Sequence, residues 1–233
     1  MTTAKKIERR LKALGTRANA EQAQRFFKTG PGQYGEGDVF LGIRMPVLRT
    51  LAKKLIDTSL DETVDLLQSP FHEARMLALL IWVVQAKRGD DSLPLYRAYL
   101  ANTDRINNWD LVDVTAEHIV GAHLFAENHQ PLYKLAKSKS LWERRIAIIS
   151  TFYFIRRNQF DNTLALAEIL LNDKEDLIHK AVGWMLREVG NRDLAVEEAF
   201  LLPRYKQMPR TMLRYAIERF PEPLRLAYLK GTH

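Results

Sequence analysis

The spacing of hydrophobic and polar residues is helical along most of the chain. Apolar residues recur at intervals of three and four, which places them on one face of an α-helix, and helix-favouring Leu, Ala, Glu, Arg and Lys are abundant. No convincing pair of alternating strands is present. The pattern predicts helices at 3–14, 18–28, 46–57, 60–68, 71–88, 92–101, 107–119, 130–137, 141–158, 161–171, 175–189, 193–201, 210–218 and 222–230.

Signals for helix ends support these boundaries. Ser59–Glu62 and Ser140–Glu143 both read Ser-x-x-Glu, the capping box that begins many helices. Pro46 follows Met45 where a first helical turn tolerates proline. The pair Gly190–Asn191 is typical of a helix stop.

The predicted helices follow one another as short antiparallel pairs. The pairs begin about 30–40 residues apart, which is the spacing of HEAT-type repeats. We therefore predict an all-α fold, an α-solenoid of HEAT-like helix pairs in which residues 1–233 form a single domain with a concave face.

A glycine-rich stretch at 30–42 contains the spacing Gly-x-Gly-x-x-Gly, formally a dinucleotide fingerprint. That fingerprint requires a preceding strand and a helix that starts at the loop. Here the stretch follows a helical segment, contains a proline and leads into no helix at Gly35. We interpret it as a flexible loop between two helices.

Composition narrows the class of protein. Of 233 residues, 46% are hydrophobic and 27% charged, which is typical of a folded globular chain and excludes disorder. The absence of cysteine excludes disulfides, thiolate metal sites and cysteine nucleophiles. No apolar run is long enough to span a membrane, and the first residues lack the apolar region of a signal peptide. We expect a cytoplasmic protein with no membrane partner.

The net charge of +7 is unevenly distributed. Residues 1–60 carry +7 and residues 201–233 carry +5, whereas residues 61–136 carry −5 and residues 137–200 are neutral. Two basic ends around an acidic middle would suit a polyanion such as DNA, whose phosphates attract Lys and Arg. A surplus of this size is equally compatible with a merely solubilising role.

Three helical segments place candidate site residues together. Trp109 and Asp113 are four residues apart and share one helix face. Trp142 and Arg145 are three apart, at the start of an apolar stripe. A tryptophan at helical spacing is nonetheless more often a core residue than a ligand platform.

The third segment contains Lys180, Trp184 and Arg187 on one face. Gly183 lies beside this tryptophan and costs about 1 kcal/mol of helix stability relative to alanine. A glycine at such a position indicates close packing or room for a ligand. Trp82, in an almost wholly apolar run, is predicted to be core.

Other chemistries find no support in the sequence. The six histidines lack the His-Glu-x-x-His spacing of zinc proteases, and neither a Gly-x-Ser-x-Gly nucleophile motif nor a kinase signature is present. We expect no metal and no cofactor. An acidic residue flanked by aromatic and guanidinium groups instead suits a cationic species beside an anionic backbone, or an oxocarbenium-like sugar during glycosidic cleavage.

The sequence resembles the AlkD-like family of DNA alkylation-repair glycosylases, which are built from HEAT-like repeats. Five segments carry the resemblance in order across most of the chain: DVFLGIRMPVLR at 38–49, NNWDLVD at 107–113, LWERRIAII at 141–149, IHKAVGWMLRE at 178–188 and MPRTMLRYAIE at 208–218. The resemblance implies hydrolysis of the N-glycosidic bond of cationic N3- and N7-alkylpurines in double-stranded DNA.

The resemblance also implies site residues. It assigns the catalytic aspartate to Asp113, the two lesion-site tryptophans to Trp109 and Trp184, and a contact with the DNA backbone to Arg145. An aromatic residue on an early helix corresponds to Phe26 or Phe27. The DNA-binding face would include Lys180, Arg187, Arg44, Arg210, Arg214 and Phe26.

Two functions remain open at this stage. The first is a monofunctional glycosylase, because no lysine accompanies the motifs as a Schiff-base nucleophile. It would act as a monomer in the cytoplasm, associated with the nucleoid when bound to DNA. The second is a non-catalytic helical-repeat module that binds DNA or a protein. The presence of Asp113 with both tryptophans favours the enzyme.

Overall fold

The computed structural model describes residues 3–233, which are predominantly helical. The helices are α1 (Thr3–Leu14), α2 (Arg17–Phe26), α3 (Met45–Lys54), α4 (Leu60–Leu67), α5 (His72–Arg88), α6 (Ser92–Ala101), α7 (Trp109–Asp113), α8 (Ala122–Leu124), α9 (Gln130–Ala136), α10 (Leu141–Ser150), α11 (Phe152–Ile155), α12 (Asp161–Ile169), α13 (Asp176–Gly190), α14 (Leu194–Leu201), α15 (Arg210–Ala216) and α16 (Glu222–Lys230). Within the described residues, strand-like pairing is limited to one isolated bridge between Val39 and Phe71. The all-α prediction is confirmed.

The predicted helix starts are confirmed at both capping boxes. The hydroxyl of Ser59 accepts a hydrogen bond from the backbone N–H of Glu62 at the start of α4. Ser140 does the same for Glu143 at the start of α10. These bonds satisfy backbone N–H groups that have no partner within the helix.

The prediction of one continuous helix at 107–119 is wrong. Helix α7 ends at Asp113, and a π-helical segment follows at Glu117–Gly121. Between them the hydroxyl of Thr115 donates to the carbonyl of Leu111 and pairs with the Tyr99 hydroxyl at 2.9 Å. A threonine that bonds back to the preceding turn disturbs the helical ladder, and apolar spacing does not reveal it.

The predicted helix at 141–158 is also interrupted. Helix α10 ends at Ser150, and α11 begins only at Phe152. The Thr151 hydroxyl donates to the carbonyl of Ile148 at 2.7 Å, and the Ser150 hydroxyl donates to that of Ile146 at 2.6 Å. Two consecutive bonds from a side-chain hydroxyl to a carbonyl of the preceding turn disturb the helical ladder and break the helix, as the Thr115 bond does after α7.

The chain forms two compact units, Met1–Ile119 and Val120–His233. In the first, α5 is buried on almost every side, with α1, α3 and α4 packed against it. Trp82 on this helix is fully buried, and its indole N–H donates to the Thr63 hydroxyl at 2.6 Å. Its prediction as a core residue is confirmed, whereas the extent of the functional domain stays a prediction.

The second unit is organised around α13, which packs against α10, α14 and α15. At Gly183 the backbones of α13 and α15 approach so closely that an added Cβ would collide with the carbonyl oxygen of Met212 and lie 2.6 Å from Cβ of Tyr215. Of the two reasons considered for this glycine, the structure supports close packing. No helix among residues 3–233 is both long enough and apolar enough to cross a membrane.

Candidate active site

Helix α7 carries the first candidate pair. Its N-cap is Asn108, whose side-chain oxygen accepts the backbone N–H of Trp109 at 2.8 Å. Trp109 and Asp113 occupy the two ends of the helix, and both are half-buried. Leu111 is fully buried between them. The helix therefore anchors its apolar side in the unit, and the spacing of four places half-buried Trp109 and Asp113 on one helix face.

Trp109 is the outer member of an aromatic stack formed with Phe27, Phe40 and His72. Its ring lies 5.2 Å from that of Phe27, at an interplanar angle of 22°. Phe27 stacks on Phe40 at 4.9 Å, and Phe40 stacks on the imidazole of His72 at 4.4 Å. Phe26, which is 64% exposed, meets Trp109 edge-on at 5.9 Å. The orientation of the indole is thus set by rings from α2, α5 and the loop before α3.

The glycine-rich stretch lies in the loop between α2 and α3, so its interpretation as a loop is confirmed. This loop contributes directly to the Trp109 site. The indole N–H of Trp109 donates to the Tyr34 hydroxyl at 3.2 Å. Asp38 and Phe40, at the end of the same loop, are both buried. A segment with no regular structure therefore supplies three side chains beneath and beside α7.

Four ionisable side chains form a buried charge cluster at the base of the stack: Asp38, His72, Arg75 and Asp110. The His72 Nδ1 lies 2.8 Å from a carboxylate oxygen of Asp38, and Nε2 lies 2.8 Å from one of Asp110. Arg75 donates to the other oxygen of Asp38 at 2.5 Å. Each of these residues is at most 9% exposed. Two carboxylates and two cations therefore neutralise one another away from water.

This arrangement shifts two pKa values in opposite directions. Burial alone would lower the pKa of His72, but the charges and hydrogen bonds of Asp110 and Asp38 outweigh it and raise the pKa to about 9. Burial would raise the pKa of Asp38, yet its contacts with His72 and Arg75 lower it to about 2. At neutral pH the imidazole is consequently protonated and donates from both nitrogens.

A second carboxylate, that of Glu73, fixes the end of the loop. Its oxygens accept backbone N–H groups of Leu41, Gly42 and Ile43 at 2.8, 2.7 and 3.1 Å. Gly42 has a φ of +82°, and an added Cβ there would collide with the carbonyl oxygen of Thr16. This buried acid therefore binds the main chain at the end of the loop.

A cavity of about 290 Å³ opens beside the aromatic stack. Its walls come from α2, α3 and α5 and are mostly apolar or aromatic. His72, Glu73 and Asp110 add polar groups that are already engaged within the protein. Arg44 lies at this cavity and is exposed.

Asp113 lies near the break after α7. Burial raises the pKa of Tyr99, the Thr115 hydroxyl opposes this, and the negative charge of Asp113 adds to the rise. Tyr99 is thereby kept as a neutral phenol that bonds Thr115. The turn that ends α7 immediately after Asp113 is therefore fixed by a fully buried side chain.

In the second unit, Trp184 lies near the middle of α13 and is half-buried. Its ring meets Phe152 edge-on at 5.8 Å, and its N–H donates to Glu188 at 3.3 Å. Arg145 on α10 is only 5% exposed, and its guanidinium donates to the carbonyl of Leu177 in the first turn of α13. Arg145 thus holds the helix that carries Trp184, and its predicted contact with the DNA backbone stays a prediction.

The predicted DNA-binding cations differ in their partners. Lys180 pairs with Asp176 at 2.7 Å, and Arg187 pairs with Glu218. Arg210 donates to the carbonyl of Leu229 at 3.0 Å.

Two further members of the set, Arg44 and Arg214, are exposed. Neither guanidinium group forms an ion pair or hydrogen bond with any residue of the described range 3–233. Their guanidinium groups are therefore the most available of the predicted set.

The structure brings Phe26, Trp109 and Asp113 into one unit and places the other predicted residues, apart from Arg44, in the second. Sequence reasoning missed the residues that support Trp109: Phe27 as its stacking partner, Tyr34, Asp38, Phe40, His72 and Asp110. The sequence held one signal for two of these residues. Asp38 and Phe40 lie in the 38–49 segment that carries the family resemblance. The contacts of His72 with Asp38 and Asp110 join positions more than 30 residues apart, beyond the reach of helical spacing.

Comparisons with known proteins identify the family and a similar fold. The model of a family described as DNA alkylation repair enzyme matches residues 7–220. A solved structure titled as a predicted DNA alkylation repair enzyme from Enterococcus faecalis is similar in fold, with a TM-score of 0.73 and 18% sequence identity. The match covers 89% of this chain and 97% of that one. No curated protein matches the sequence.

Proposed function

The chain belongs to the DNA alkylation repair enzyme family, and from this premise we propose that it is a DNA glycosylase that releases cationic N3- and N7-alkylpurines from duplex DNA. The observation that carries the proposal is the pairing of Trp109 with Asp113 at the two ends of α7, both half-buried. A carboxylate and an aromatic ring on one helix face suit a reaction in which positive charge develops on a sugar.

The chemistry of the damaged base explains why few catalytic groups are needed to break its glycosidic bond. An alkylated purine is already cationic, so when the C1′–N bond breaks, the electron pair neutralises the departing base and no strong general acid is needed. The barrier lies in the positive charge that develops on the deoxyribose. The carboxylate of Asp113 would stabilise that charge electrostatically, and the indole of Trp109 would contribute its electron-rich face.

Water completes the reaction. A water molecule held by Asp113 attacks C1′ as the base leaves, and its proton passes to the carboxylate or to solvent. The products are an abasic site and a neutral alkylpurine, so atoms and charge balance. The strand is left intact, since no amine nucleophile takes part.

Two further residues complete the proposed catalytic set. The family resemblance implies that Trp184 packs on the sugar together with Trp109 and favours its cationic form, and that Arg145 contacts the DNA backbone. Exposed Arg44 and Arg214 have guanidinium groups available for phosphates, and phosphate contacts position a protein on DNA without reading its sequence. We propose a monomer that works in the cytoplasm, at the nucleoid when bound to DNA.

The test is release of 7-methylguanine from methylated duplex DNA. Wild-type protein should release the base, and Asp113→Asn should lower the single-turnover rate by about 10²–10³-fold, the loss expected when one electrostatic group is removed. Asp104→Asn, at an exposed aspartate of the same unit, should act as wild type. Absence of release by the wild type, with DNA binding retained, would contradict the enzyme and favour a non-catalytic binding module. Equal release by wild type and Asp113→Asn would remove Asp113 from the mechanism.

A further inference from the structure

We propose that Asp38, His72 and Asp110 are positioning residues that clamp helix α7, so that Trp109 and Asp113 keep the orientation which the reaction requires. The inference rests on the proposed glycosylase function. It adds residues to which neither the family match nor the sequence resemblance assigns a role.

The clamp acts at the N-terminus of α7. His72 holds one oxygen of Asp110 at 2.8 Å, while the other oxygen of Asp110 accepts the backbone N–H of Leu111 at 2.8 Å. The N-cap residue Asn108 donates its side-chain amide to Asp38 at 3.1 Å. The first turn of α7 is therefore tied twice to the pair Asp38–His72, through residues on both sides of Trp109.

A helix this short depends on such ties. Helix α7 has five residues, far fewer than the roughly 12–15 that an isolated helix needs for marginal stability. Its direction must therefore come from tertiary contacts. Burial of Leu111 and Val112 holds one side, and the hydrogen bonds to Asp38 and His72 hold the end.

The aromatic stack provides a second connection between His72 and Trp109. The imidazole lies against Phe40 at 4.4 Å and Phe27 at 5.2 Å, and Phe27 in turn supports the indole. A cationic ring over aromatic faces is favourable. The charge state of His72 thus affects Trp109 both through α7 and through the stack.

The two hydrogen bonds of His72, to Asp38 and to Asp110, require a protonated imidazole. A neutral ring donates from one nitrogen only, so one carboxylate would then face a lone pair. Three other charged groups lie around His72. Arg75 binds Asp38, Glu73 binds the backbone, and Arg44 lies at the cavity. Of these, none donates to Asp110, so Asp110 is the carboxylate that loses its partner.

The stability of the fold alone would not favour a clamp made of buried charged groups. Burying ionised groups carries a large desolvation penalty, and apolar replacements of buried ion pairs are often neutral or stabilising. Here the buried charge cluster lies directly beneath the helix that bears the candidate catalytic residues. A role in fixing the orientation of α7 explains why the cluster is charged and why it lies beneath this helix.

The first experiment observes Trp109 without DNA. The protein is labelled with 5-fluorotryptophan, whose four fluorine resonances correspond to the four tryptophans, and Trp109→Phe identifies the signal of interest. Between pH 7 and pH 10 the Trp109 resonance should shift in a step that follows His72, while the resonance of the core residue Trp82 stays constant. His72→Gln should abolish the step.

Two controls make the assignment specific. Tyr34→Phe removes a titratable hydroxyl that contacts Trp109 directly and should keep the step. His233→Gln, near the C-terminus, should also keep it. Should His72→Gln fail to fold by circular dichroism, Asp110→Asn retains an oxygen for the Leu111 N–H, and the titration of the wild type remains informative by itself.

The second experiment separates positioning from DNA binding. With a 7-methylguanine duplex, His72→Gln and Asp110→Asn should lower the single-turnover rate by about 100-fold, the effect of a displacement near 1 Å. The Kd for the duplex should change by less than about two-fold, because the exposed cations are untouched. Equal losses in the single-turnover rate and in the affinity for the duplex would indicate general damage to the fold and overturn the proposal.

The two experiments distinguish failure of the clamp from failure of the glycosylase. A wild type without base release refutes the proposed function, yet its fluorine titration still reports whether His72 controls Trp109. Normal release by wild type and His72→Gln alike, or a Trp109 resonance that ignores His72, refutes the clamp and leaves the glycosylase intact.

Discussion

The indole ring of Trp109 stacks on the ring of Phe27, with 5.2 Å between the centroids and 22° between the planes. Phe27 is half-buried and also contacts Phe40 and His72, whereas its neighbour Phe26 is 64% exposed. The two adjacent phenylalanines therefore have different tasks. Phe27 supports Trp109, and Phe26 is exposed at the position of the proposed DNA contact.

We expect Phe27→Ala to lower the free energy of unfolding by about 3 kcal/mol, since it removes a large ring from a packed cluster. Phe26→Ala should change it by less than about 0.5 kcal/mol, as for an exposed position. Urea denaturation followed by circular dichroism measures both. Equal destabilisation by the two substitutions would contradict this division.

The predicted DNA-binding cations should contribute unequally. Arg44→Ala and Arg214→Ala remove exposed guanidinium groups without a described partner, so each should weaken duplex binding and reduce the salt slope by about 1. Lys180→Ala should have a smaller effect, because Lys180 must first leave its 2.7 Å pair with Asp176. Fluorescence anisotropy at several salt concentrations makes the comparison.

A matched control for these cations is Arg88→Ala. Arg88 is an exposed arginine that pairs with Asp57 and Asp90, and it lies outside the predicted DNA-binding set. We expect its substitution to leave the salt slope unchanged. An equal change in the salt slope for Arg88→Ala and Arg214→Ala would mean that the affinity for DNA depends only on the net charge of the protein.

The stability of the protein should fall in alkaline solution. The pKa of His72 is raised from 6.5 to about 9 in the folded state. Its stabilisation is therefore fully present below pH 6.5 and is lost as the pH rises through about 9. The loss is on the order of 3 kcal/mol. Urea titrations at pH 6.5 and pH 9.5 measure it, and His72→Gln should show no comparable loss.

The carboxylate of Asp38 gives the opposite dependence in acid. Its pKa is lowered from 3.8 to about 2, so its stabilisation is present above pH 3.8 and is lost as the pH falls through about 2. Asp38→Asn should flatten the acid limb of the stability profile. An unchanged acid limb would show that other carboxylates dominate acid unfolding.

Gly183→Ala tests the packing of the second unit. Alanine is the better helix former by about 1 kcal/mol, but its Cβ would collide with the carbonyl oxygen of Met212 and crowd Tyr215. Overpacking costs about 1–3 kcal/mol, so we expect net destabilisation. A rise in the urea midpoint would show that α15 can move aside at little cost.

The elements that local patterns control were predicted well from the sequence. The two Ser-x-x-Glu starts and the buried Trp82 agree with the structure, because capping and burial depend on near neighbours and on composition. The breaks at Thr115 and Thr151 were missed, since a hydroxyl that bonds back to its own helix leaves the apolar spacing unchanged.

Within the site, the sequence revealed the residues that share a helix turn and missed those joined by tertiary contact. Trp109 and Asp113 were found by their spacing. His72 was considered only as a possible metal ligand, because its partners Asp38 and Asp110 lie 34 and 38 positions away. Charge pairing over such separations follows from the packing of α5 against the loop and α7, which no local pattern records.

The carboxylate of Glu73 has a consequence for the order in which this unit folds. The backbone N–H groups of residues 41–43 find their acceptor only on α5, some 30 positions along the chain. We therefore expect closure of this loop, which also carries Asp38 and Phe40, to depend on α5 being in place. Hydrogen exchange at residues 41–43 should accordingly be faster than in α5, with Glu73→Gln accelerating it further. On this view the loop that supports Trp109 should be among the first parts of the unit to open.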